Sequence, residues 1–183
     1  MISRYSRQAM AKIWTEENKL QKWLEVELAA LAGLAQYGYI PKDVPAQVRA
    51  RAQFNVERVK EIEKVVNHDV IAFLTNVSEN VGPAGRYVHF GLTSSDILDT
   101  SLALLLREAA DILIEDLDDL IATLKKKAFD YKNTLMIGRT HGIHAEPITF
   151  GLKMALWYTE MERNRERMIR ARETISTGKL SGA

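Results

Sequence analysis

The chain has 183 residues, is 46% hydrophobic and sets 25 Lys and Arg against 24 Asp and Glu, for a formal charge of +1 with no cysteine. That apolar content provides for a globular core, and the balanced charge gives no global field for nucleic acid or an anionic membrane surface, so any anionic ligand must be held by local groups. The lack of cysteine excludes a disulfide framework and a thiolate nucleophile and fits a reducing compartment, the cytoplasm. No signal-like apolar run opens the chain, and no stretch approaches the roughly 20 apolar residues of a membrane span.

Arg4 and Tyr5 precede a short helix through Met10 and Ile13, which Ser6 is placed to cap. Thr15 followed by Glu16 and Glu17 is a second start, because a hydroxyl accepts from the orphan N–H groups and acids suit the positive end of the helix dipole. Leu20, Trp23, Leu24, Glu25, Leu28, Leu31, Leu34 and Ala35 then form a stripe at helical spacing that Gly38 is placed to end, with Trp23 in the core. Beyond Pro41, residues 44–51 and 56–66 read as two shorter helices, the second capped by Asn55. Asn67-His68-Asp69 interrupts the apolar rhythm before Val70, Ile71, Phe73, Leu74 and Val77 resume a helix that stops near Gly82-Pro83. Asp69 reads as an N-cap, whereas His68 at the same junction does not.

Tyr87 to Phe90 is a brief, extended-looking run. Thr93 with Asp96 then resembles a capping box with Asp in place of Glu. Leu102, Leu106, Ala109, Leu113, Leu117, Leu120 and Leu124 alternate steps of four and three, the seam of a long packed helix running to about Tyr131. Such a helix is about 50 Å long at 1.5 Å per residue. A domain of this size does not cover it alone, so an apolar seam is expected to await partner helices. From Thr149 a further helix passes through Leu152, Leu156, Met161 and Met168, with Arg163, Arg165, Arg167, Arg170 and Arg172 interleaved with Glu162 and Glu166 as a salt-bridged or interfacial face. Residues 177–183 read as a polar turn, and no strand is assigned anywhere. The expected class is all-α, with an amino-terminal helical domain over 1–92 and the first part of a long-helix bundle over 93–183.

Between the last two helices lies Gly-Arg-Thr-His-Gly-Ile-His-Ala-Glu-Pro-Ile-Thr-Phe-Gly, residues 138–151. Its glycines admit unusual backbone angles, and Pro147 turns Glu146 away from helical geometry, so the segment is not helix running on. Arg139, Thr140, His141, His144, Glu146 and Thr149 crowd this break, and polar groups concentrated in a loop point to binding or catalysis. His141 and His144 have no cysteine and no His-Glu-x-x-His pattern for company, so neither a metal site nor a cofactor is expected.

Three polar breaks therefore fall at helix ends: residues 67–69, 91–96 and 138–151. Their combination resembles the adenylosuccinate lyase family of the fumarase/aspartase superfamily, whose helical scaffold fumarases, aspartases and argininosuccinate lyases share. The resemblance runs from Ile2-Ser3-Arg4-Tyr5-Ser6 through Glu25-Val26-Glu27, His68-Asp69-Val70 and His89-Phe90-Gly91-Leu92-Thr93-Ser94 to Gly178-Lys179-Leu180-Ser181-Gly182-Ala183. Arg139-Thr140-His141-Gly142 with Ala145-Glu146-Pro147 looks like the adenylosuccinate version.

The resemblance implies β-elimination of fumarate from adenylosuccinate and from the succinyl-carboxamide ribotide of purine synthesis. It implies His141 as general acid, His68 and His89 as supporting groups, and Arg4 and Tyr5 as nucleotide-binding positions. Asn67, His68 and Asp69 match a further binding segment, and Thr93 with Ser94 one that holds a carboxylate. Asn67 departs from the arginine often found there and loses a bidentate anion contact. The family's mobile serine loop, Ser-Ser-x-Met-Pro-x-Lys-x-Asn-Pro, does not occur, so the chain looks like an amino-terminal fragment, inactive alone. The family is a homotetramer acting on a small molecule, with neither nucleic acid nor membrane as partner. Another lyase of the superfamily, of the argininosuccinate type, and a non-catalytic helical assembly module are the alternatives.

Overall fold

A computed structural model describes residues 2–183, and of Ser3 the backbone only. The chain divides into two compact units: Met1–Arg107 with Ser176–Ala183, and Glu108–Ile175. The architecture is helical, as expected.

In the first unit, α1 (Gln8–Ile13), α2 (Glu16–Gln36), α3 (Val44–Arg51), α4 (Val56–Val66) and α5 (Asp69–Val81) precede a 3-10 turn over Gly82–Tyr87. Thr15 caps α2 by accepting from the Asn18 N–H, and Asn55 caps α4 by accepting from that of Arg58. Gly38, at φ +78°, terminates the chain's exit from α2. Ser6 caps nothing. Its hydroxyl donates to the Ile2 carbonyl at 3.0 Å, and Arg7 takes the N-cap position of α1 without a side-chain capping bond.

Phe73 of α5 is fully buried at the centre of the core. The rings of Trp23 and Phe54 meet it edge-on at 5.5 and 5.9 Å, the arrangement the aromatic quadrupole favours. Asn76, one turn on, is also buried; its Oδ1 accepts the Asn55 N–H at 2.8 Å, and its amide donates to Glu79 at 3.0 Å. This bond fixes the entry into α4 onto α5. The acid that shares the buried face of α2 is Glu27, whereas Glu25, placed on the stripe by sequence, is exposed and pairs with Lys22. At 100° per residue, position 27 continues the Leu20, Trp23, Leu24 and Leu31 face, and position 25 does not.

Helix α6 spans Ser94–Asp130. The second unit holds the later part of α6, then β1 (Leu135–Thr140), β2 (Ile143–Thr149) and α7 (Phe150–Ile175). The two strands form an antiparallel hairpin where no strand was expected. Pro147 and the glycines weaken a strand reading, but in a two-stranded sheet both strands are edges, and an edge tolerates proline. The register slips between Ile137 and Arg139. Gly151 closes the hairpin base against α6: a Cβ there would lie 2.5 Å from the Ala128 carbonyl oxygen and from the Lys132 Cα.

The charged face of α7 is salt-bridged within this unit. Arg165 pairs with Asp118 of α6 and Arg172 with Asp111. On the α6 seam, Ala109 and Leu124 are buried, while Leu113 and Leu120 remain 40% and 43% exposed. An open apolar groove of about 490 Å³ runs past Leu113, Leu117, Leu120 and Met168. No helix among the described residues is long and apolar enough to cross a membrane.

Phe73→Ala removes the ring that Trp23 and Phe54 pack against and should cost about 3–5 kcal/mol of stability. Val65→Ala, at a side chain 80% exposed, should cost almost nothing. Urea unfolding of both variants, followed by circular dichroism, checks the contrast.

Candidate active site

The first unit gathers several of the candidate side chains where α4 ends and where α5 and α6 begin. Asn67 is the C-cap of α4 in the left-handed region, φ 54° and ψ 35°, with its N–H bonded to the Glu63 carbonyl. Asparagine tolerates that conformation better than most residues, which is a local reason for an asparagine here. The chain then turns extended, and His68, not Asp69, is the N-cap of α5: its Nδ1 accepts the Ile71 N–H at 3.4 Å. The sequence reading reversed these roles. The ring nitrogen reaches the third N–H as a cap oxygen would, while Asp69 bonds the N–H of Val70 at 2.7 Å and lies 3.4 Å from the His68 ring. Held by this cap, His68 presents Nε2 at 3.4 Å from the Ser94 hydroxyl. His68, Asp69 and Ser94 thus come together from two helix N-termini, with Asn67 and Thr93 flanking them.

His89 is held differently. Tyr87 to Phe90 is not extended; after the 3-10 turn the backbone passes through His89 at φ +66°, with Val88 and Phe90 donating to the carbonyls of Gly85 and Tyr87. Gly82, Pro83 and Gly85 favour such consecutive turns. Buried Glu27 accepts the His89 N–H at 2.9 Å and sits 2.6 Å from His89 Nδ1.

Thr93 begins α6 with half of the expected capping box. Asp96 Oδ2 accepts the Thr93 N–H at 3.0 Å, but the Asp96 N–H returns to the Thr93 carbonyl and not to its hydroxyl. The other lone pairs of Asp96 serve residues 177–183, read by sequence as a simple polar turn. Asp96 also accepts from the Ser181 N–H at 2.7 Å, the Gly182 N–H at 3.0 Å and the Lys179 ammonium at 3.0 Å. Thr100 adds a reciprocal pair, donating to the Lys179 carbonyl and accepting its N–H. Burial alone would push the Asp96 carboxyl up; the Thr93 and Ser181 N–H groups, Lys179 and the Gly182 N–H outweigh it and hold the carboxyl well below the usual range.

Arg4 and Tyr5 lie in a 3-10 turn near the amino terminus, with the Arg4 guanidinium 4.8 Å above the Tyr5 ring and Tyr5 74% exposed. His141 belongs to the second unit. It and Gly142, at φ +50° and +77°, are the two residues of the hairpin turn, which pairs Thr140 with Ile143. Positive φ at both central residues is the type I′ pattern, whose twist matches that of the flanking strands, and Gly142 supplies one of them without strain. His141 and His144 are both exposed, His141 at the tip and His144 opposite Arg139. Sequence reasoning had assigned Glu27 no contact, though an acid on an otherwise apolar helical face was the available signal. Asp96's link to residues 179–182 had no such signal.

A helical scaffold whose helix ends carry His, Asp, Ser and Thr side chains is the setting in which the family assignment falls. The protein-family profile described as Lyase matches residues 3–183, and the chain belongs to that family. Among curated proteins it is similar to the adenylosuccinate lyase of Aquifex aeolicus (strain VF5), 52% identical over 186 residues, covering 100% of this chain and 43% of that protein. It is similar also to the adenylosuccinate lyase of Synechocystis sp., 54% identical over 183 residues, covering 100% of this chain and 42% of that protein. The chain therefore spans less than half the length of these relatives. Among solved structures, a fumarate lyase from Mesorhizobium sp. BNC1 matches with a TM-score of 0.90 at 28% identity, over 98% of this chain and 44% of that one. A 3-carboxy-cis,cis-muconate lactonizing enzyme from Pseudomonas putida matches with a TM-score of 0.92 at 30% identity, over 99% and 43%.

Because the folded pKa of Asp96 lies below that of an unfolded aspartate, its contribution to stability is complete above about pH 5 and is lost as pH falls toward the folded pKa. Asp96→Asn leaves buried donors unpaired and should cost about 2–3 kcal/mol near neutrality. The gap between wild type and variant should close as pH falls below about 4. Urea midpoints measured across that range check this, and a gap independent of pH would remove the carboxylate charge from the account.

Proposed function

We propose that the full-length protein is an adenylosuccinate lyase, splitting adenylosuccinate into AMP and fumarate and the succinyl-carboxamide ribotide in the parallel reaction. The observation that carries this reading is identity of 52% and 54% to two adenylosuccinate lyases along the whole chain. Identity to the solved fumarate lyase and lactonizing enzyme is only 28% and 30%.

In the proposed reaction a base removes a proton from the carbon beside a carboxylate, and the negative charge spreads onto that carboxylate. The electron pair then forms the double bond of fumarate as the carbon–nitrogen bond breaks. His141 protonates the departing nitrogen, a role suited to an imidazole, which can both carry and give up a proton. The base comes from outside this chain. Thr93 and Ser94, at the positive end of the 37-residue α6, hold a substrate carboxylate through their hydroxyls, with His68 beside Ser94. Asn67 and Asp69 line the same junction, His89 supports from the preceding turns, and Arg4 and Tyr5 contact the nucleotide. Residues 1–92 form the amino-terminal domain and 93–183 the start of the bundle of a cytoplasmic homotetramer, and the apolar groove along α6 is the face its further helices cover.

In the full-length protein, His141→Gln should lower kcat by roughly 10²- to 10⁴-fold with a much smaller change in KM, because the proton is given only in the transition state. His144→Gln should stay near wild type, and chelators should have no effect. Steady-state assays with saturating adenylosuccinate check this; near-normal turnover of His141→Gln would take the acid role from it, and absence of wild-type turnover would refute the reading.

Active sites assembled from more than one subunit would make two inactive variants complementary. Mixing full-length His68→Ala and His141→Ala, with subunit exchange verified by mass, should restore measurable turnover. A mixture as inactive as its parents would place each site within one subunit.

A further inference from the structure

Two costly features converge on His89. Its backbone sits in the left-handed region at φ +66°, uncommon for a residue with a side chain. The group bonded to it is a carboxylate, Glu27, only 1% exposed on an otherwise apolar face of α2. Burying a carboxylate is poor value for stability alone, since a neutral residue of similar size often serves as well. A glutamine at position 27 could still accept the His89 N–H through its amide oxygen.

What the carboxylate adds is control of the ring. One oxygen takes the backbone N–H at 2.9 Å, and the other lies 2.6 Å from Nδ1. An ionised carboxylate only accepts, so the proton in the second contact belongs to Nδ1. Nε2 is left as the ring nitrogen open to a ligand, on a side chain 17% exposed. The His89 carbonyl in turn accepts the Leu92 N–H at 3.2 Å, immediately before Thr93 and Ser94. The same residue that Glu27 grips therefore also shapes the approach to the α6 N-terminus.

We propose that Glu27 is a positioning residue: it locks the His89 ring with its proton on Nδ1 and turns Nε2 over to the substrate. This rests on the reading of His89 as a group beside the substrate. An oriented imidazole with one committed nitrogen is the arrangement that second partners provide for working histidines.

The test combines a spectroscopic with a kinetic measurement on the full-length protein. Nitrogen-15 NMR of the histidine rings, with His89 assigned through His89→Gln, should show the proton on Nδ1 in wild type. In Glu27→Gln it should shift toward a mixture of tautomers. Glu27→Gln should lower kcat/KM for adenylosuccinate by about 10- to 100-fold with its circular dichroism unchanged. In a His89→Ala background the same substitution should add less than about a twofold loss, as expected when two residues act as a unit. A wild-type His89 carrying its proton on Nε2, or an undiminished Glu27→Gln loss in the His89→Ala background, would overturn the proposal. If Glu27→Gln does not fold, the wild-type tautomer and Glu27→Asp decide it. If wild type does not turn over adenylosuccinate, the functional reading fails, while the tautomer and its dependence on Glu27 still decide whether Glu27 positions the ring.

Discussion

A carboxylate at the first turn of a 37-residue helix, 1% exposed, accepts from four donors. A buried charge survives only where its lone pairs are used, and Asp96 uses them on the Thr93 N–H, the Ser181 and Gly182 N–H groups and the Lys179 ammonium. One group thereby fixes the start of α6 and anchors residues 179–182 beside it. Thr93 inherits its position from this arrangement, because its N–H cannot move without breaking a bond to a desolvated charge, and Ser94 follows it in the chain. Asp96 contacts no reacting atom in the proposed chemistry, yet the placement of the groups that do depends on it.

The same logic recurs at the junction of α4 and α5. Every helix begins with N–H groups that have no partner within it, and a side chain can supply the deficit. Here those side chains include groups with chemistry of their own. His68 caps α5 and holds its other nitrogen toward Ser94. Asn67 absorbs the left-handed turn that lets His68 follow directly on α4. Capping and site construction are one set of contacts, which is why polar residues at these breaks are better placed than they would be on a free loop.

His68 and His89 illustrate two ways of holding an imidazole. The first is held by a backbone N–H and lies among exposed groups; the second is gripped at both its backbone and its ring by a carboxylate in the core. His141 follows a third route, the two-residue turn of a hairpin, where the glycine after it makes the reversal cheap. In the proposed lyase these three histidines serve one reaction, and the part of the protein beyond this chain supplies the base.

Most helices were legible in the sequence because they rest on local rules: apolar spacing marked residues 44–51 and 56–66 and the long helix from residue 94, while Thr15 and Asn55 announced caps through their own side chains. The polar breaks were legible for the same reason, since Gly, Pro, Asn and Asp clusters favour turns and caps over helix interiors. What sequence alone misjudged involved choices between partners. Asp69 and His68 both had the chemistry to cap α5, and only the path of the chain gave the role to His68. The hairpin at 135–149 stayed hidden because Pro147 and the glycines argue against a strand, until two edge strands make a proline harmless. Glu27 and His89 are 62 residues apart, and Asp96 and Gly182 86 apart. Local propensity carries no information about such pairs. A buried carboxylate declares its partner only when the packed core has excluded water and left it one place to bond.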